Sequence, residues 1–153
     1  MTLLDVIPEG ALVALDTVIW IYEVEAHPVF GPVVHPFFAD RLGTGRNRAG
    51  SSLLALGELL VQPLALGRLD IADAYKAYFT LGANFAVWEV TREVVERAAD
   101  LRARYRLKMM DALHMANAIV QRADLFLTND ESLGRVSELH VVTLTSFVAK
   151  PSP

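Results

Sequence analysis

Apolar residues along the chain fall into two alternating patterns, short unbroken runs and longer stretches with helical spacing. The short runs predict five strands: Leu12 to Leu15, a short one ending near Ser52, Phe85 to Glu89, Leu125 to Thr128, and His140 to Leu144. The periodic stretches predict helices at Val18 to Ala26, Pro28 to Leu42, Leu53 to Leu66, Ile71 to Leu81, Arg92 to Tyr105 and Met109 to Arg122. Strands that read as continuous apolar runs are covered on both faces, so the alternation predicts a parallel sheet between two helical layers. At 153 residues with 53% hydrophobic content, the chain suits one domain with a sizeable core, placed at residues 1–148. The closing AKPSP, 149–153, is expected to be a flexible tail.

Against this pattern four lone carboxylates stand out. Glu58 is the only ionisable residue between Arg48 and Arg68, inside AGSSLLALGELLVQPLALG, which reads as a buried helix. A buried carboxylate without a partner either costs several kcal/mol or takes up a proton, so Glu58 calls for a cation, either a distant Arg or Lys or a metal. Asp16 closes the strand ALVALD, Asp111 opens the helix DALHMANAIV, and Asp130 follows LFLTN. Each of these three has a plainer role open to it: Asp16 as an N-cap, Asp111 as a charge favoured by the helix dipole, Asp130 as a turn starter. In an open α/β sheet, however, the ligand crevice lies outside the carboxyl ends of the strands, where one pocket could collect all four. At least one of four such acids is then expected to have a raised pKa.

His114 lies one turn beyond Asp111 and is read as a packed or rim residue outside the ion's immediate ligands. Arg102, Arg104, Arg106 and Lys108 form the densest basic stretch; it reads equally as a track for a phosphate backbone and as a solvated helix end. Trp20, Ile21, Tyr22, Phe37 and Phe38 are core candidates, and any surplus among them would mark a groove for a partner helix. GTGRNRAG, Gly43 to Gly50, reads as a basic loop.

Composition narrows the chemistry. With no cysteine, disulfides, zinc–thiolate sites and Cys nucleophiles are excluded. The net charge of -4 gives no global pull on nucleic acid, so a polyanion would need a local basic patch or a bound metal. The N-terminus MTLLDVIPEG lacks a basic n-region, and Glu58 and Pro63 interrupt the longest apolar run, so a cytoplasmic protein with no membrane span is expected. No Walker A, GxGxxG, HExxH or GxSxG motif is present.

In this order and these settings, Asp16, Glu58, Asp111 and Asp130 resemble the acidic positions of the PIN-domain ribonucleases, most closely the VapC-like toxins of toxin–antitoxin pairs. ALDTVIWIYEVEAHP resembles the family's opening strand and helix, SSLLALGELLVQPL its second segment, and KMMDALHMANAIVQRADLFLTND its third and fourth. Val18 stands where many relatives carry Asn after Asp-Thr. The resemblance implies a Rossmann-like three-layer α/β/α fold with a five-stranded parallel sheet, and a site that uses Mg²⁺ or Mn²⁺. In that site Asp16 and Asp111 hold the ion, Asp130 completes the shell and Glu58 binds or orients the attacking water. It also implies an RNA substrate, a homodimer and a VapB-like antitoxin that blocks the site. The alternative is a catalytically silent PIN-like module that binds RNA or protein.

Overall fold

The computed structural model describes residues 1–150 and 152–153, so the expected tail at 149–153 falls partly outside the described residues. A short helix α1 (Leu3–Val6) precedes strand β1 (Leu12–Leu15), helix α2 (Thr17–Val24) and helix α3 (Gly31–Pro36). Strand β2 (Arg48–Ser52) leads into α4 (Leu53–Ala65) and α5 (Leu69–Leu81), then β3 (Phe85–Trp88), α6 (Arg92–Tyr105) and α7 (Met109–Val120). Strands β4 (Leu125–Thr128) and β5 (Val141–Thr143) complete a parallel sheet of order β3-β2-β1-β4-β5.

Side chains alternate across the sheet as the pleat requires. Val13, Leu15, Leu125 and Leu127 pack against Ile19, Trp20, Leu59 and Tyr75 on one face. Ala14 and Phe126 pack against Leu101, Ala112 and Met115 of α6 and α7 on the other. The predicted three-layer α/β/α architecture and all five strands are therefore present.

Helix starts follow from capping chemistry. Ser52 accepts from the Leu54 amide at 3.2 Å to open α4, and Thr91 accepts from the Val94 amide at 3.3 Å to open α6. Two expectations change. The single helix expected over Pro28 to Leu42 is α3 followed by a wider π turn, Phe37–Leu42. Pro36 lacks the amide hydrogen that an α-helix would donate back to Pro32, and the chain relaxes into bonds such as Gly43 N–H to Phe38 C=O at 2.8 Å. The loop expected through Gly50 ends earlier, since Arg48, Ala49 and Gly50 belong to β2. Gly50 is required there: a Cβ on it would lie 2.1 Å from the Trp88 ring, which lies across the strand.

The helix carrying Glu58 is not buried. Only Ala55, Leu59 and Pro63 of α4 are enclosed, while Val61, Leu64 and the following Leu66 face solvent together with Leu69 and Leu81 of α5. The two helices pack on each other and on the core along narrow stripes, so apolar composition overstates their burial. Conversely, Trp20, Phe37 and Phe38 do fit the core, with Trp20 edge-on to Phe85 at 4.7 Å, and Tyr22 stacks on Phe30 at 4.8 Å.

Candidate active site

The order in which the chain adds strands reverses at β1, whose neighbours β2 and β4 lead to opposite edges. The carboxyl ends of β1 and β4 thus form the crevice of an open α/β sheet. Asp16 is the first residue past β1 and Asp130 the second past β4. Asp111 stands in the first turn of α7, and Glu58 sits in the second turn of α4.

Asp16 is held from two sides. Its Oδ1 accepts from the Thr17 amide at 2.8 Å as the cap of α2, and its Oδ2 accepts from the Thr128 hydroxyl at 2.7 Å. It is 9% exposed, and burial raises its pKa against the opposing pull of the Thr128 hydrogen bond. The plainer capping role expected of Asp16 is therefore present. Asp111 is also raised, first by burial and then by the charges of Asp16 and Asp130. The raised carboxyls of Asp16 and Asp111 match the expectation that at least one of the acids would be raised. Asp130 uses Oδ1 to accept from the Ser132 amide at 2.9 Å and hydroxyl at 2.7 Å, which opens a short 3₁₀ turn at Glu131–Arg135. Among the described residues, no three His, Asp or Glu side chains converge tightly enough to hold an ion as they stand.

Glu58 lies at the rim and differs from expectation. Its side chain is 38% exposed, and its partner is neither Arg nor Lys but His114, whose Nε2 lies 2.5 Å from Oε1. The Thr17 hydroxyl donates to the same oxygen at 2.7 Å. These contacts, His114 foremost, hold the Glu58 carboxyl below its ordinary range. His114, read from the sequence as a packed or rim residue, is buried and meets Glu58, a partnership the sequence did not indicate. Its spacing of three from Asp111 puts both on one helical face, but only the packing of α4 against α7 supplies the carboxylate.

The basic stretch is divided. Arg104 pairs with Asp100 and Glu138, and Arg102 donates to the Leu107 carbonyl at 3.0 Å, whereas Arg106 and Lys108 are exposed with no side-chain ion pair among the described residues. Lys108 is close enough to oppose the rise at Asp111. Beyond the crevice, a cleft of about 280 Å³ opens between α2, the Phe37–Leu42 turn and α5, with Trp20, Phe38 and Phe85 on its floor and Glu23, His35 and Tyr78 at its wall.

Residues 13–139 match the family described as the PIN domain. Among curated proteins, none matches the sequence. Among solved structures, the fold is similar to that of a DNA-bound VapBC from Salmonella typhimurium, with a TM-score of 0.67 at 15% identity over 88% of this chain and 98% of that one. It is similar to VapBC2 from Rickettsia felis bound to a promoter DNA fragment, with a TM-score of 0.65 at 15% identity over 86% and 98%. It is also similar to VapC20 from Mycobacterium tuberculosis, a sarcin-ricin loop cleaving toxin, with a TM-score of 0.62 at 19% identity over 74% and 86%.

Proposed function

This chain belongs to the PIN-domain family, and on that premise we propose that it is a metal-dependent endoribonuclease of the VapC-like type. The observation that carries the proposal is the crevice at the ends of β1 and β4, which Asp16 meets just past β1, Asp130 just past β4 and Asp111 from the first turn of α7, with burial raising the carboxyls of Asp16 and Asp111. Such a group of acids fits a hard divalent cation such as Mg²⁺ or Mn²⁺: the donors are carboxylate oxygens, and Asp16 is buried against hydroxyl and amide donors with no Lys or Arg paired to it among the described residues.

Asp16 and Asp111 are the residues to hold the ion, with Asp130 offering its second oxygen. A bound divalent ion would lower the pKa of the attacking water and neutralise charge developing on the phosphoryl oxygens. Glu58, anchored at the rim, orients that water through a hydrogen bond for in-line attack on phosphorus. The water oxygen bonds to phosphorus as the P–O3′ bond breaks; the water gives up a proton to solvent, the leaving 3′ oxygen takes one from solvent, and the product carries a 5′-phosphate. Lys108 supplies positive charge on the approach to Asp111, where the phosphate backbone would lie. An unpaired strand suits the crevice better than a duplex, and the similarity to a sarcin-ricin loop cleaving toxin supports looped RNA as substrate.

A VapB-like antitoxin is the partner this reading implies, and the cleft between α2 and α5, with Trp20, Phe38 and Phe85 lining it, suits the apolar face of a helix. The exposed leucines and valine of α4 and α5 suit a homodimer contact. The deciding experiment compares labelled RNA and DNA strands with the purified protein in Mg²⁺, Mn²⁺ and EDTA, beside Asp16→Asn. Metal-dependent RNA cleavage lost in the variant supports the reading; RNA binding without cleavage in any metal would establish the silent module instead.

A further inference from the structure

Glu58 combines two properties that conflict. A glutamate on a half-exposed helical face has several rotamers open to it, and the residues one turn away on α4, Leu54 and Gln62, carry no charge to restrain it. Yet its Oε1 receives two short contacts, one from the His114 Nε2 at 2.5 Å and one from the Thr17 hydroxyl at 2.7 Å. The imidazole is itself buried, with 4% of its side chain exposed. An ionised carboxylate can only accept, so the Thr17 hydroxyl donates to Glu58, and the tautomer of His114 that completes the pair carries its proton on Nε2.

We propose that His114 is a positioning residue for Glu58, pinning one carboxylate oxygen so that the acid stays at the rim of the crevice. The catalytic consequence rests on the ribonuclease reading above; the clamp itself does not. Helix α7 then contributes twice to the site. It carries Asp111 on its own backbone, and three residues later it fixes Glu58 of another helix through His114. Thr17 does the same from α2, immediately after Asp16. The two aspartates and the glutamate are thereby braced together by side chains rooted one and three residues from the aspartates. The lowered pKa of Glu58, with the His114 hydrogen bond as its chief cause, agrees with a carboxylate kept ionised by this clamp.

The test uses the full chain labelled with ¹⁵N-histidine, together with kinetics. In the metal-free protein, one of the four histidines should show a slowly exchanging, downfield Nε2 proton. That resonance should vanish in His114→Gln and move upfield in Glu58→Gln. A resonance unmoved by Glu58→Gln would overturn the clamp. On RNA with Mn²⁺, His114→Ala should lower kcat by about 10- to 100-fold with KM unchanged. His114→Gln, whose side-chain amide can reach the same oxygen, should restore most of that rate. The double variant of Glu58→Gln with His114→Ala should fall no further than Glu58→Gln alone. Equal losses in the Ala and Gln variants, or losses that multiply in the double variant, would show that His114 does not act through Glu58. If the wild type cleaves no RNA in any metal, the ribonuclease reading fails by itself, and the histidine resonance still decides the clamp.

Discussion

Burial holds the Asp16 carboxyl above the ordinary carboxylate range, and burial with the charges of Asp16 and Asp130 does the same to Asp111. An acid whose folded pKa is raised binds its proton more tightly when native, so stability falls as pH rises from the unfolded value, about 4, through the folded one. The metal-free protein is expected to lose stability over that window, and Asp16→Asn should remove part of the loss. A melting temperature measured in EDTA at neutral pH should therefore be higher for Asp16→Asn than for the wild type, while metal-dependent cleavage falls by about 100- to 1,000-fold or more. Glu58 has the opposite sign. Its lowered pKa contributes stability above the unfolded value that disappears as pH falls through the folded one, so Glu58→Gln should flatten the acid side of the profile. Parallel profiles for wild type and both variants would show that neither group is coupled to folding.

Two contacts between elements make sharp tests. The Trp88 ring lies where a Cβ of Gly50 would be, so Gly50→Ala must push the ring or part β2 from β3. Overpacking of this kind costs about 1 to 3 kcal/mol, and a melting temperature lower by several degrees is expected. Tyr75 of α5 is buried and donates to Glu25, just past the end of α2, at 2.5 Å. Tyr75→Phe leaves that carboxylate short of a donor and should cost about 1 to 3 kcal/mol, measured by urea unfolding. By contrast, Val61 and Leu64 on α4 are 67% and 50% exposed. Exchanging either for Glu should change monomer stability by no more than about 0.5 kcal/mol, and a larger loss at low protein concentration would mean that the face is buried in a way the single chain does not reveal.

For the whole molecule, the proposed site and the proposed dimer predict separable behaviour. An ion that binds only the native state stabilises it by mass action, by about 2.7 kcal/mol at a hundred times its dissociation constant. Mn²⁺ titration should raise the melting temperature of the wild type, with little effect on Asp111→Asn; a wild-type curve that stays fixed at millimolar metal would count against a shared ion site. The α4 and α5 face should instead control mass. Light scattering is expected to give a dimer for the wild type and a smaller species when Leu66 and Leu81 are both exchanged for Glu, with cleavage chemistry at the crevice tested in parallel. Among the described residues no helix is long and apolar enough to cross a membrane.

The order of strands and helices was legible because both depend on periodicity, and a run such as Leu125 to Thr128 has one low-energy use in a covered parallel sheet. Asp16, Asp111 and Asp130 were legible as candidates because strand ends and first helical turns are local events. Partnership was not local. The sequence offered no cation for Glu58, since His114 lies 56 positions away and meets it only when α4 and α7 pack. Burial also depended on packing: Trp20 and Phe37 are wholly enclosed while Leu66 and Leu81 are bare, although all four are apolar. Composition determines how much apolar surface a chain has; which part meets the sheet is decided only by how the helices are placed upon it.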